Sequence, residues 1–288
     1  MRSPRTDSRI VGWSDSPRSS PFDYPTIRLS DYPTWELLIE PQGRSGAENM
    51  AIDQALLEEA DRTGRAFLRL YRFDPRCISF GRNEPARERY DPDAIARLGI
   101  DVIRRPTGGR AVWHEHEVTY AVAAPITAFG GDPRRGAACC APTYLAIHQR
   151  LAAALRLLGA DATLAPDRPT VRPSDRPASC FAAPVGGEVL VHGRKVIGSA
   201  QVRQGRAFLQ HGSILLDGSQ EMLRAVSRQP SAVSGEMTLT AALGRRVTFD
   251  EVVDAVLSTW GDEVTLTAFD RPRPPSTAAF RDSWTWRR

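Results

Sequence analysis

The sequence predicts an α+β fold with mixed or antiparallel sheets and packed helices, and three features carry that expectation. Strand-like and helix-like runs are interspersed without the regular strand–helix alternation of a doubly wound sheet. Glu188–Leu216 holds three β-like segments separated by the two-residue turns His192-Gly193 and Gln204-Gly205, the pattern of a meander. Two helical segments carry end signals: Gly159 follows Pro142–Leu158, and Thr248 with Glu251 forms a capping-box spacing at the head of Phe249–Thr259.

Taken in order, Trp35–Ile39 reads as a strand. Ala47–Ala60 reads as a helix with Met50, Ala51, Ala55 and Leu57 inward and Glu58, Glu59 and Asp61 outward. Phe67–Phe73 and Cys77–Phe80 are β-like. Asp91 caps a short helix through Leu98 that Gly99 ends. Ile100–Arg104, Ala111–Trp113 and Val118–Ala123 follow as strands, with a Pro-Thr-Gly-Gly turn after the first. In Pro142–Leu158 the residues Tyr144, Ile147, Leu151, Leu155 and Leu158 recur every three or four positions, one apolar stripe of a helix. Residues 163–179 are Pro-rich and polar and read as a long loop. Gly218–Val226 reads as a helix. Residues 1–33 and 267–288 lack sustained periodicity and are expected to be disordered extensions flanking a catalytic domain at 34–266, although Trp284 and Trp286 could dock on its surface.

Composition narrows the function classes. Of 288 residues 41% are hydrophobic and 25% charged, which is globular. The charge-free stretches Val118–Gly131 and Gly136–Gln149 fall short of a membrane span, and the N-terminus has no apolar core of a secretory signal. Cys77, Cys139, Cys140 and Cys180 show no CxxC spacing, so free thiols in a cytoplasmic setting are expected. Net charge is +4, but residues 34–266 are neutral with 28 basic and 28 acidic residues; the excess sits in the two end segments, which argues against nucleic acid as a partner. The five histidines make no zinc pattern, and no metal is expected. Lys195 is the only lysine among 38 basic residues, and a lysine kept where arginine serves elsewhere points to a role for a compact ammonium or a tunable amine.

Four segments could carry chemistry. In Arg104–Val112, Gly108 and Gly109 allow close backbone approach to a ligand and Arg105 could hold a carboxylate or phosphate, although a Gly-Gly pair between strands is by itself a hairpin turn. Cys180, on a loop, is the accessible thiol, whereas Cys77 fits a buried apolar role. Lys195 stands at a strand start after a tight turn, with Gly198, Ser199 and Ala200 leaving room against the sheet. A cation near Cys180 would favour the thiolate and could hold an oxyanion. His211 and Gly212 lie in the third meander strand; a Cys–His pair with His211 or His114 ranks below Cys–Lys.

Together, Ala47–Asp53, the RRPTGGRAVWHEHEVTYAV run (104–122), Ser179-Cys180-Phe181, GRKVIGSAQ (193–201) and LQHGSILL (209–216) resemble the lipoate-protein ligase/biotin-protein ligase catalytic fold, and most closely the LipM-type octanoyl-[acyl-carrier-protein]:protein N-octanoyltransferases. The resemblance implies that the Gly-Gly loop and the Gly-Ser-Ala strand line an acyl tunnel. It implies that Cys180 is the acyl-thioester nucleophile and that Lys195 lowers the thiol pKa and contacts the acyl carbonyl. The donor would be octanoyl-acyl carrier protein and the acceptor a lipoyl-domain lysine, as in glycine cleavage H protein, with no cofactor; arginines such as Arg82, Arg104 or Arg203 would steer acidic partners. An ATP-dependent lipoate-protein ligase and an octanoyl amidotransferase between lipoyl domains are the alternatives. With 72 residues after Leu216 the ligases' accessory domain is not expected, and no cysteine follows His211 in this sequence as in LipB-type enzymes. Two features depart from the relatives: the Phe-Ala-Ala-Pro-Val-Gly-Gly after Cys180 and the Pro-rich 163–179.

Overall fold

The computed structural model describes residues 35–132, 134, 140–166, 181, 186–228, 235–260, 267–268, 276–280 and 282–287. The expected extension 1–33, Cys139 and Cys180 lie outside them. The strands are β1 (Trp35–Arg44), β2 (Ala66–Phe73), β3 (Cys77–Phe80), β4 (Asp101–Arg104), β5 (Val112–His114), β6 (Glu117–Pro125), β7 (Ala162–Leu164), β8 (Val189–Val191), β9 (Arg194–Lys195), β10 (Ile197–Gln204), β11 (Ala207–Leu215) and β12 (Thr267–Ala268). The helices are α1 (Gly46–Thr63), α2 (Ala86–Arg89), α3 (Pro92–Arg97), α4 (Cys140–Leu157), α5 (Met222–Ala225), α6 (Leu239–Leu243), α7 (Phe249–Trp260) and α8 (Asp282–Thr285).

A six-stranded sheet in the order β10-β11-β6-β2-β1-β12 forms the centre. Its β10, β11, β6 and β2 pair antiparallel, and β1 pairs parallel with β2 and β12, so the expected mixed α+β architecture is what the chain adopts. Side chains alternate between the two faces of a strand. On one face Leu68, Leu70, Val118 and Val122 pack with Ile147 and Leu151 of α4 and Val252 and Val256 of α7. On the other face Phe67, Tyr71, Ala121, Ala123 and Leu209 pack with Met50, Leu56 and Leu57 of α1. Two three-stranded sheets flank this core, β4-β3-β5 and β7-β8-β9.

Local signals explain most boundaries. Helix α1 starts one residue earlier than its apolar pattern suggested because Ser45 and Glu48 form a reciprocal capping box. Its buried stripe includes Asn49, Asp53 and Leu56, whereas Ala55 is only half-buried. Glu251 and Thr248 cap α7 as the spacing foretold, with Thr248 N–H donating to Glu251 Oε2 at 2.8 Å. At the His192-Gly193 turn both residues have positive φ, 50° and 72°, which matches the twist of the β8–β9 hairpin.

Four expectations need correction. The meander is not one sheet: β8 and β9 belong to a small sheet, and the chain crosses at Val196 into β10 of the large one. Alternation with period two is identical in both sheets, so the sequence does not mark the crossing. Thr163 and Leu164 are not loop but part of β7, paired with β8. The helix expected over Gly218–Val226 is only Met222–Ala225, since Gly218 takes a left-handed φ of 75°. The described residues of 267–288 are structured: Thr267–Ala268 adds β12 to the sheet, and Phe280 is buried against the α1 core.

Candidate active site

A small apolar cavity opens between the α1 face of the large sheet and the small β4-β3-β5 sheet. Met50, Tyr71, Phe73 and Val112 supply apolar wall, and Gly198, Ser199, Ala200, His211, Gly212 and Ser213 supply the β10–β11 wall. The small residues are required there. A Cβ on Gly198 would stand 2.6 Å from the Phe181 ring, and one on Gly212 would stand 2.5 Å from the Gly198 carbonyl. Of the residues expected to bind substrate, Arg105, Gly198, Ser199, Ala200, His211 and Gly212 line this space, whereas Gly108 and Gly109 do not.

The Gly-Gly loop is held from three sides. Arg105 is buried, and its guanidinium donates to Ser79 O and Ser79 Oγ (2.7 and 2.5 Å), to Arg110 O (2.8 Å) and to Gly108 O (3.2 Å). Those contacts brace the loop with the same side chain that lines the cavity. Arg82 N–H donates to Thr107 O at 2.8 Å. Thr107 Oγ1 lies 2.7 Å from His211 Nε2, and His211 Nδ1 lies 2.9 Å from Asp53 Oδ2. Burial drives the His211 pKa down against the pull of Asp53, so the ring is neutral at pH 7. A carboxylate only accepts, so Nδ1 carries the proton and Nε2 accepts from Thr107. His211 is therefore a neutral strut between α1 and the loop. His114 is likewise engaged, by Glu117 and Ser79, each at 2.5 Å.

Asp53 is the centre of a buried charged cluster. Arg69 Nη1 donates to Asp53 Oδ1 at 2.8 Å and Arg69 Nε to Glu40 Oε2 at 2.7 Å, while Tyr71 OH donates to Asp53 Oδ2 at 2.9 Å. Burial would raise the Asp53 pKa, but the His211 hydrogen bond and the Arg69 charge outweigh it and hold the carboxyl below its usual value.

Lys195 is 2% exposed and its Nζ donates to Glu188 Oε1 at 2.6 Å, with Glu188 also 2% exposed. The ammonium also stands 5.5 Å from the centroid of the Phe181 ring, the ring that lies against Gly198. The strand-start lysine and the Gly-Ser-Ala wall are thus brought together through the residue that follows Cys180 in the chain. Cys77 is buried, and burial pushes its thiol pKa well up, in keeping with its expected inert role.

On the opposite face of the sheet a second network supports Ser199. His148 Nδ1 lies 2.7 Å from Gly187 O and Nε2 lies 2.8 Å from Ser199 Oγ. Burial lowers the His148 pKa to about 4, so the ring is neutral, donates to the carbonyl through Nδ1 and accepts from Ser199. Ser199 Oγ then accepts from Tyr120 OH at 2.7 Å, and Tyr120 OH accepts from Gln210 Nε2 at 2.9 Å.

Glu188, Asp53, Thr107, His148 and Tyr120 were given no role by the sequence. Among the steering arginines, Arg82 is exposed, Arg203 is half-buried and donates to Gly205 O at 2.9 Å, and Arg104 is wholly buried. Arg104 therefore cannot meet a partner at the cavity mouth. Among the described residues no helix is long and apolar enough to cross a membrane, and no group of three or more His, Cys, Asp and Glu gathers to hold a metal ion.

Fold and cavity define an α+β domain that offers an apolar space beside a buried lysine. The chain belongs to the lipoyl protein ligase A/B catalytic domain family, whose sequence model matches residues 45–261. It is 44% identical over 184 residues to the octanoyltransferase LipM of Carboxydothermus hydrogenoformans, covering 64% of this chain and a little under two thirds (65%) of that relative. To the LipM of Kyrpidia tusciae it is 43% identical over 203 residues, covering 69% and 72% of the two chains, and to that of Moorella thermoacetica 38% over 226 residues, covering 76% and 79%. Similar solved structures are a lipoate-protein ligase A bound with ATP (TM-score 0.65, 24% identity, 82% of this chain and 88% of that one) and the putative lipoate protein ligase Ta0514 from T. acidophilum with bound lipoic acid (TM-score 0.67, 21% identity, 88% and 99%). At these identities the likeness establishes the shared fold.

Proposed function

We propose that this chain is an octanoyltransferase that carries an octanoyl group to a lysine of a lipoyl domain, with octanoyl-acyl carrier protein as donor and Cys180 as the relay. The observation that carries the reading is the buried Lys195–Glu188 pair beside Phe181, the neighbour of Cys180, at the Gly198 wall of an apolar cavity. The LipM relatives, named as octanoyltransferases, support the acyl group.

In the first half-reaction the Cys180 thiolate attacks the thioester carbonyl of the donor. The Lys195 ammonium faces the carbonyl oxygen as it gains negative charge. The carbon–sulfur bond to the carrier breaks, and the carrier leaves as a thiolate that takes up from solvent one proton, the equal of the one Cys180 released to solvent on ionising. In the second, the acceptor amine attacks the octanoyl-Cys180 carbonyl, an amide forms, and the amine proton returns to the departing cysteine sulfur. Thioester exchange is nearly isoenergetic and amide formation from a thioester is downhill, so ATP is not needed. Glu188 keeps Lys195 in place, because an unpaired ammonium at that depth would be strongly disfavoured. Arg82 and other exposed arginines are offered as steering groups for acidic partners.

The test is an intact mass after mixing the protein with octanoyl-carrier protein without ATP. A gain of about 126 Da that Cys180→Ala abolishes is expected for the acyl-enzyme. No adduct, with lipoate attachment once ATP is added, would make the chain a ligase.

A further inference from the structure

We propose that the C-terminal residues 276–280 and 282–287 form a positioning element of the active site, which holds the Gly-Gly loop from behind through Arg104. The segment lies beyond the residues 45–261 that the family model matches.

Arg104 directly precedes the loop brace Arg105, and its side chain is bound by backbone carbonyls from two distant parts of the chain. Nη1 donates to Gly81 O and Glu84 O, both at 2.8 Å. Nε donates to Thr285 O at 3.0 Å and Trp284 O at 3.1 Å, and Nη2 to Arg287 O at 3.0 Å. The last carbonyls of a helix have no partner within it, and a cation at that end is favoured. Arg104 fills that role for α8. The contact is reciprocal, since Trp284 Nε1 donates to the Arg104 carbonyl at 2.9 Å.

The loop feels this anchor along two routes. Arg287 Nη2 donates to Arg82 O at 2.9 Å, and Arg82 N–H donates to Thr107 O at 2.8 Å. Gly81, held by Arg104, abuts the Gly109 carbonyl so closely that a Cβ there would stand 2.0 Å from the oxygen. Apolar contacts fasten the segment at both ends: Phe280 joins the core cluster that contains the cavity residue Met50, and the Trp286 ring lies 5.4 Å from that of Phe80. The segment thus ties the α1 core, the β4-β3-β5 sheet and the loop into one body.

The test is backbone hydrogen exchange over residues 104–110 in the full-length protein, beside the steady-state kinetics of octanoyl transfer. Trp284→Phe keeps a ring and removes the donor to Arg104. It should speed exchange in 104–110 about fivefold, the weight of one hydrogen bond. Trp284→Ala with Trp286→Ala should speed it by more than roughly tenfold and raise KM for the octanoyl donor several-fold, with kcat changed less than about twofold. Faster exchange confined to 276–287, with 104–110 and KM unchanged, would reduce the segment to a passive surface patch. If the double variant does not fold, Trp284→Phe decides alone. The kinetic arm rests on the transferase reading and the exchange arm does not, so a wild type without acyl transfer whose loop still responds would sink only the former.

Discussion

The two faces of the six-stranded sheet both bury polar side chains next to the cavity, and they satisfy them with different chemistry. On the α1 face the groups are charged: Arg69 lies between Glu40 and Asp53, and Asp53 passes the connection through His211 to Thr107 of the Gly-Gly loop. On the α4 face they are neutral: Gln210, Tyr120, Ser199 and His148 form a directed chain that ends on the carbonyl of Gly187. Gly187 is followed by Glu188, so the neutral chain terminates beside the residue that holds Lys195. One face ties the loop through a neutral histidine to a buried ion-pair cluster, and the other fixes the Gly-Ser-Ala strand by a fixed order of donors and acceptors. On both faces a neutral histidine, His211 or His148, is held by hydrogen bonds at both ring nitrogens.

The largest expected effect lies at that pair. Lys195→Met leaves the Glu188 carboxylate buried without its ammonium and should cost about 3–5 kcal/mol of unfolding free energy. Combining it with Glu188→Leu removes both charges and should return most of that stability, measured by urea denaturation. Octanoyl transfer should stay depressed by about a hundredfold to a thousandfold in both variants if Lys195 stabilises the developing oxyanion. A double variant with near-normal transfer would show that the pair serves packing only and that the chemistry lies with other groups.

Next comes a pH dependence that separates the two faces. Burial holds the folded His148 pKa near 4 against 6.5 for the free side chain. The unfolded chain therefore binds a proton, below pH 6.5, that the folded protein refuses, and stability falls as pH drops from 6.5 to 4. The integrated loss from this residue is roughly 3 kcal/mol, with a slope approaching about 1.4 kcal/mol per pH unit. His211 adds a loss of the same sign from the α1 face. The lowered carboxyls of Asp53 and Glu40 act only further down, as pH falls below their unfolded values of 3.8 and 4.5. Denaturation at stepped pH should show His148→Gln flattening the slope between pH 6.5 and 4.5 by about one proton's contribution. An unchanged slope would place the titration on the α1 face alone.

Two wall glycines and the buried lysine were legible and most of their supports were not, for a physical reason. Gly198, Gly212 and Lys195 stand out because a sheet interior rarely tolerates glycine and because this chain holds a single lysine. Most supports pair residues far apart in sequence, Asp53 with His211 across 158 positions and Arg104 with Trp284 across 180, while Glu188 lies seven positions from Lys195. Local periodicity contains no record of such pairs. His148 was hidden because it lies beside Ile147 on a helix whose apolar stripe already accounted for its burial. Arg104 misled for the opposite reason. An arginine beside a glycine loop reads as a ligand-facing charge, and nothing local announces that backbone carbonyls from residues 284–287 enclose it.

The smallest effects concern two glycines on the loop side, and there the contrast sharpens most. Gly81 drew no attention in the sequence, yet its missing Cβ is what lets Gly109 approach. Gly81→Ala should cost roughly 1–3 kcal/mol, because the obstacle is a backbone carbonyl that has to move. Gly108 carries the motif, yet a Cβ there meets nothing within 4 Å and its φ is not left-handed. Gly108→Ala should leave stability unchanged or raise it by about 0.4–1 kcal/mol through the unfolded chain. The two thermal midpoints therefore separate a glycine kept for packing from one kept for another cause. If Gly108→Ala is as stable as the parent but KM for the octanoyl donor rises several-fold, that cause is close approach of the backbone to the acyl group. If both midpoint and KM are unchanged, Gly108 is a turn residue and the loop meets its substrate through other atoms.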